Sequence, residues 1–293
     1  MRQTVGFIGL GAMGQAIVER LLAADYTVIG HNRTKSKAAA LLDVGMHWAD
    51  SPKVATEQSD VVFSMVANDT ALEAITTGKD GILAGLKTGQ VYADMSTVSP
   101  ELVRKLAKCA KQRGGVMLDA PVSGSPVTVR AGKLAFMVAG DEASFEVIKP
   151  ILLAIGVKVT YLGASGKAAI MKIALNLSIP VQLLALYEGL VLAEKAGINR
   201  EVALEVMLSS AIASPALQYR APFALGLPEE PLFNVTGQAK DLALVLELGR
   251  NLHVPLPTAS ATEPILNATK AAGLADEDVA AIFNVLANMA GLT

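Results

Sequence analysis

In the first half of the chain, hydrophobic positions come in short continuous runs separated by stretches of helical period. Thr4–Ile8, Thr27–Gly30, Val61–Met65, Gln90–Met95, Val116–Ala120, Leu134–Ala139 and Lys158–Leu162 read as strands. Between them, Gly14–Ala23, Pro100–Gln112 and Ala143–Ile155 repeat apolar residues at helical spacing. Strands without strict alternation suit a sheet covered by helices on both faces, and their alternation with helices predicts crossover units. The pattern changes at Gly163-Ala164-Ser165-Gly166. Beyond it, Ala, Leu and Val predict helices near 164–195, 200–210, 237–252, 257–273 and 277–290, and no strand. The expected fold class is α/β: a doubly wound, mostly parallel sheet over residues 1–163, followed by an all-α domain over 164–293. At roughly 150 residues per domain, the length agrees with two.

Composition narrows the function classes. Hydrophobic residues make up 52% and charged residues 18%, with a mean hydropathy of +0.43, which excludes a disordered chain. Lys and Arg number 25 against 27 Asp and Glu, so no global field draws nucleic acid or an anionic membrane. Cys109 has no second cysteine to pair with, as expected of a reducing compartment, and no metal site is expected from it and three scattered histidines. The chain passes from Met1 directly into strand-like residues, so a cytoplasmic protein without a signal peptide is expected. Ile170 to Ala196 is long and apolar, but Lys172, Asn176, Gln182, Glu188 and Glu194 interrupt it. It is expected to be a helix buried in protein rather than a membrane span.

Gly9-Leu10-Gly11-Ala12-Met13-Gly14 directly follows the first strand and opens a helix. In a G-x-G-x-x-G turn the first glycine permits the turn and the second lets a diphosphate approach the backbone. The third allows close helix–strand packing, and the helix N-terminus holds the negative charge. The plainer alternative is an ordinary tight strand–helix turn. A Rossmann-type domain that prefers NAD places an acid ~20 residues further on, against the ribose 2′-hydroxyl. Here the second strand leads instead into His31-Asn32-Arg33-Thr34-Lys35. Asn32, Arg33 and Thr34 suit a 2′-phosphate, which predicts NADP (as NADPH), with NAD as the weaker alternative.

Three further stretches carry candidate chemistry. Asp94-Met95-Ser96-Thr97 closes a strand, where doubly wound sheets keep their ligands. Asp119-Ala120-Pro121-Val122-Ser123-Gly124-Ser125 closes another and offers a hydroxyl and backbone N–H groups suited to an anion. Lys172 and Asn176 share one face of a predicted helix. A lysine inside so apolar a helix costs free energy unless it is paired or functional, and burial would lower its pKa towards the range of a general acid. Alternatively, its stem runs along the helix and its ammonium stays in water. On the residues alone the two readings stand level.

Taken in order, Gly6-Phe7-Ile8-Gly9-Leu10-Gly11-Ala12-Met13-Gly14, the Asp94 and Asp119 stretches, Lys172 with Asn176, and Lys240-Asp241 resemble the β-hydroxyacid dehydrogenase family across nearly the whole chain. Asn32-Arg33-Thr34, Gly189-Leu190-Val191-Leu192-Ala193 and Lys240-Asp241-Leu242 are most similar to its NADPH-dependent glyoxylate/succinic semialdehyde reductase branch. The resemblance implies hydride transfer from NADPH to a small carboxylate-bearing aldehyde or keto acid. Substrates would be glyoxylate, succinic semialdehyde, or the 3-hydroxyisobutyrate or tartronate semialdehyde type. It implies Lys172 as the general acid and Asn176 as the companion that orients substrate or lysine. It implies Ser123 and Gly124 as holders of the substrate carboxylate, and Thr97 beside the nicotinamide ribose and the substrate. Met65, Val66 and Ala67 would lie along the cofactor, and Lys240 would contact it. Asp241 either anchors the site or serves as a helix N-terminal charge. A homodimer or homotetramer built through the helical domain is also implied.

The sequence departs from the family pattern at three places. Gly166 is kept, but Ala168 replaces the second glycine of a G-x-G; Ser125 follows Gly124; and Pro180 interrupts the long helix, where it removes a hydrogen bond and predicts a kink. Phe233 and Tyr219 are either pocket or core residues. Two other functions share these motifs. An imine reductase or broad carbonyl reductase has the same fold, although Lys172 speaks against the former. A non-catalytic dinucleotide-binding module is expected to have lost the lysine.

Overall fold

Strand β1 (Thr4–Ile8) pairs in parallel with β2 (Thr27–His31) on one side and β4 (Val61–Ser64) on the other. With β3 (His47–Trp48), β5 (Val91–Asp94) and β6 (Val116–Asp119), they form a parallel sheet among the described residues, ordered β3-β2-β1-β4-β5-β6. The order reverses direction between β1 and β4, so the carboxyl ends of these strands open the crevice in which doubly wound sheets bind ligands. This computed structural model describes residues 3–292, which divide into two units at Lys172/Ile173.

The side-chain period of a strand decides which core each residue enters. Val5 and Phe7 of β1 join one core and Ile8 the opposite one. The first core is closed by Ile17 and Leu21 of α1 (Ala12–Ala23) and by Ile148 and Leu152 of α8 (Glu142–Ile155). The second is closed by Leu102 and Leu106 of α6 (Pro100–Gln112). Each fully buried Phe or Leu contributes roughly 1.5–3 kcal/mol. Helix α6 begins where the sequence predicts it because Ser99 Oγ accepts the Leu102 N–H and Pro100 stands in the first turn. Short helices α2 (Ala39–Asp43), α3 (Pro52–Glu57), α4 (Asp69–Thr76), α5 (Ile82–Gly85) and α7 (Pro126–Arg130) fill other connections.

The sequence pattern suggested one sheet throughout, but the last strands do not extend this one. β7 (Val122–Ser123), β8 (Leu134–Val138) and β9 (Gly156–Tyr161) form a second sheet, antiparallel between β7 and β8 and parallel between β8 and β9. Pro121 has no N–H to continue the β6 ladder. Asp119 meanwhile exchanges backbone hydrogen bonds of 3.1 and 2.8 Å with Ala139, which joins the two sheets.

Helix α9 (Lys167–Lys195) starts in the first unit and continues into the second, running uninterrupted through Pro180. By length and composition it could cross a membrane. In the second unit, however, its Leu183, Tyr187 and Leu190 are core residues. They meet side chains from α10 (Arg200–Ser209), α11 (Pro215–Arg220), α12 (Val235–Leu252), α13 (Pro257–Thr269) and α14 (Ile282–Met289). Tyr187 stands edge-on to Phe283, with ring centroids 5.4 Å apart. The buried Arg220 guanidinium bonds both oxygens of Asp278, which also accepts the Leu232 and Phe233 N–H groups. That clamp fixes the segment entering α12, whose first turn Asn234 caps through Gly237 N–H.

Candidate active site

The glycine turn after β1 is built by sterics. Gly9 has φ +101°, and a β-carbon there would lie 2.2 Å from the Met65 carbonyl oxygen. A β-carbon on Gly14 would lie 2.1 Å from the Gly9 carbonyl oxygen, so only glycine lets α1 sit this close to the strand. Nothing lies within 4 Å of the corresponding point at Gly11. Gly11 is the N-cap of α1, with no side-chain cap and no acidic residue in the first turn. Backbone N–H groups at a positive helix end, beside an open approach, fit a dinucleotide diphosphate.

Asn32, at the end of β2, holds this turn in place. Its Oδ1 accepts the Leu10 N–H (3.1 Å) and its Nδ2 donates to the Thr34 carbonyl (2.9 Å). Arg33 and Thr34 beside it are exposed. His31 stacks obliquely against Trp48 at 5.5 Å, and Lys35 Nζ lies 5.2 Å from the Trp48 ring centroid, which adds a second cation to the turn.

Met65, Val66 and Ala67 follow β4, and Thr97 follows β5, which pairs with β4 in parallel, so both segments leave the sheet at its carboxyl edge. A buried polar chain ties Val66 to β5. Tyr92 OH donates to Ser64 Oγ (2.7 Å), which donates to Asp94 Oδ1 (2.6 Å). Ser96 Oγ donates to the same oxygen (2.8 Å) and accepts the Val66 N–H (2.9 Å). Burial is the largest influence on Asp94 and pushes its carboxyl up to about 6 despite the serine hydrogen bonds.

Asp119 performs a second anchoring task. Its Oδ1 accepts the Gly166 N–H (2.9 Å), and its Oδ2 accepts those of Ala168 and Ala169 (3.0 Å each). The orphan donors at the start of α9 are thus satisfied by a carboxylate from β6. Burial raises this carboxyl as well, and the backbone donors work against it. Ala168 is fully buried in that first turn, without the positive φ of Gly166, so no glycine is needed there. Lys172 follows in the next turn and is half-buried. Ser123 and Gly124 lie on and after β7. Gly124 has φ +151°, and a β-carbon there would meet Thr128 Oγ1 at 2.4 Å. Ser125 begins α7 in a capping box with Thr128.

In the second unit, Asn176, Asp241 and Lys240 come together. The buried Asn176 donates from Nδ2 to Asp241 Oδ2, while Lys240 Nζ lies 2.9 Å from Asp241 Oδ1. Asp241 therefore faces its neighbours as a buried anchor (1% exposed). Gln238, which the sequence did not single out, is fully buried and donates to the Asn176 backbone carbonyl at 3.3 Å. Phe233 packs against the bare backbone of Gly237, whereas Tyr219 is half-exposed under the Arg220 guanidinium. Ser64, Tyr92 and Gln238 carry no motif of their own, and only the three-dimensional pairing reveals them.

The chain is similar to known proteins over nearly its whole length. Residues 4–163 match the family model for the NAD binding domain of 6-phosphogluconate dehydrogenase. Residues 166–286 match that for the NAD-binding region of NADP-dependent 3-hydroxyisobutyrate dehydrogenase. The chain is 34% identical over 290 residues to 2-(hydroxymethyl)glutarate dehydrogenase of Eubacterium barkeri, covering 99% of this chain and 96% of that one. It is 32% identical over 283 residues to the chloroplastic glyoxylate/succinic semialdehyde reductase 2 of Arabidopsis thaliana, covering 97% and 79%. The crystal structure of a 3-hydroxyisobutyrate dehydrogenase from Salmonella typhimurium superposes with a TM-score of 0.89 at 29% identity, covering 97% of this chain and 100% of that one.

Proposed function

The chain belongs to the β-hydroxyacid dehydrogenase family, and from that premise we propose that it is an NADPH-dependent reductase of short, carboxylate-bearing aldehydes or keto acids. Membership makes it an NAD(P)-dependent oxidoreductase; the choice of NADPH, the acidic substrate and the residue roles are our reading. The observation that carries it is the Lys172–Asn176 pair on one face of α9, its second member locked to Asp241.

The Gly11 backbone and the start of α1 hold the diphosphate, and Arg33 and Thr34 take the 2′-phosphate on a turn that Asn32 fixes. Met65, Val66, Ala67 and Thr97 would hold the nicotinamide side, and Lys240 is a candidate for a further cofactor contact. When bound, the reduced nicotinamide supplies a hydride to the carbonyl carbon. Lys172 gives a proton from its ammonium to the carbonyl oxygen and recovers one from water. Because a carboxylate only accepts, Asp241 keeps the Asn176 amide from turning over and leaves its Oδ1 in one orientation. Ser123 and the bare backbone of Gly124 hold the substrate carboxylate.

Initial rates with NADPH and NADH on succinic semialdehyde, glyoxylate, butanal and a cyclic imine test this reading. The acids with NADPH are expected to be fastest. Equal rates on butanal and succinic semialdehyde would overturn carboxylate recognition, and a cyclic imine outpacing every acid would make the protein an imine reductase.

A further inference from the structure

We propose that Gln238 is a positioning residue for the reaction, and that it acts by replacing a helix hydrogen bond that Pro180 removes. In an unbroken α-helix the carbonyl of Asn176 would accept the N–H of the residue at position 180. That residue is proline, which has none, and its ring crowds the carbonyl one turn back. The helix nevertheless continues through Pro180, which is itself buried. From α12, Gln238 donates its Nε2 to this carbonyl at 3.3 Å. Pro180, Asn176, Gln238, Asp241 and Lys240 all belong to the second unit.

The choice of residue supports this role. Gln238 is fully buried, and among the described residues its Oε1 has no hydrogen-bond partner. Burying an amide with one end unsatisfied costs free energy that a methionine of similar volume would not. The group that gains is the Asn176 peptide. Asn176 is then gripped at two points from one helix: its carbonyl by Gln238 and its side-chain amide by Asp241. Gln238 and Asp241 lie three positions apart on α12 and so share a face. Asn176 is fixed in rotation about α9 at the one place where α9 cannot fix it through its own ladder. The inference rests on our reading of Asn176 as part of the substrate site.

A double-mutant cycle tests it, using Gln238→Met, Pro180→Ala and the double variant in the full-length protein, with Asn176→Ala as control. The readouts are kcat and KM for succinic semialdehyde with NADPH, NADPH affinity by fluorescence, and Tm. Gln238→Met is expected to lower kcat on the order of tenfold with NADPH affinity unchanged. The double variant, in which Pro180→Ala restores the helix N–H, should return to within about twofold of Pro180→Ala alone. A double variant as slow as Gln238→Met, or a Gln238→Met enzyme with wild-type kcat, overturns the pairing. If Gln238→Met lowers Tm and kcat and only Tm is rescued, its role is structural and the proposal fails. Wild-type turnover in Asn176→Ala overturns the site reading itself and the positioning role with it, so the two failures are told apart.

Discussion

Ala168 gives its backbone N–H to Asp119 Oδ2 over 3.0 Å, so the first turn of α9 is closed by a side chain from the sheet instead of by a cap of its own. Gly166 and Ala169 bond the same carboxylate. Charge-assisted hydrogen bonds of this kind are worth roughly 1.5–3 kcal/mol each, and they are not additive. Asp119→Ala is expected to lower unfolding stability by about 3 kcal/mol, read from the urea midpoint at unchanged slope. An unchanged midpoint would mean that the helix start finds other acceptors.

Lys172→Ala is expected to cut kcat on the order of 10²–10⁴-fold while leaving NADPH affinity near normal, since in the proposed mechanism the lysine acts on the proton and not on the dinucleotide. Single-turnover reduction of succinic semialdehyde separates the two quantities. Retention of most turnover would move proton donation to another group.

Arg33→Asp would place a carboxylate on the exposed turn after β2, where it would repel the proposed 2′-phosphate and accept from a ribose hydroxyl. The ratio of kcat/KM for NADPH over NADH is expected to fall roughly ten- to hundredfold, the equivalent of about 1.5–3 kcal/mol. An unchanged ratio would take the 2′-phosphate away from this turn.

Asp94 makes a pH-dependent contribution whose sign is fixed. Burial raises its carboxyl from 3.8 to about 6 in the folded protein. Between these values the folded state binds more protons than the unfolded one, so stability falls as pH rises through that window. The whole effect is up to about 3 kcal/mol, at roughly 1.36 kcal/mol per pKa unit. The stability difference between wild type and Asp94→Asn, measured by urea unfolding from pH 4 to pH 7, should shift in favour of the variant as pH rises. A flat difference would show that Asp94 titrates normally.

The second unit exposes Leu192, Val202, Val206, Ile212 and Met289, with Val202 and Val206 one turn apart on α10. Such surface is expected to be covered in a homodimer or homotetramer. Sedimentation velocity at micromolar concentration should show a particle of at least twice the 30.4 kDa chain mass, and the Val202→Glu and Val206→Glu pair should shrink it. Wild type sedimenting as a monomer would refute the assembly.

The parts of this fold that were legible in the sequence are those where one local rule dominates. β1 and β4 are almost wholly buried and read as largely apolar runs, and Ser99-Pro100 marks the start of α6. β3 and β7 have two residues each, too few to show any period, and the separation of the second sheet depends on the Asp119–Ala139 pairing. The glycine turn and the Lys172–Asn176 spacing were visible for the same local reason. Ser64 and Asp94 are 30 residues apart, and Gln238 and Asn176 are 62 apart. Such bonds between distant segments leave no periodic trace, and Gln238 stands in an ordinary helical stretch.

The three glycines of the turn after β1 differ in what they answer to. Gly9 is held by the Met65 carbonyl and Gly14 by the Gly9 carbonyl, both obstacles within the protein itself, whereas Gly11 borders open space. A descendant of this chain that stopped using a dinucleotide would therefore still be obliged to keep the outer two, or lose its sheet-to-helix joint. Only the middle position would be released to accept side chains. In chains folded this way, two of the three signature glycines testify to architecture, and the middle one alone testifies to the ligand.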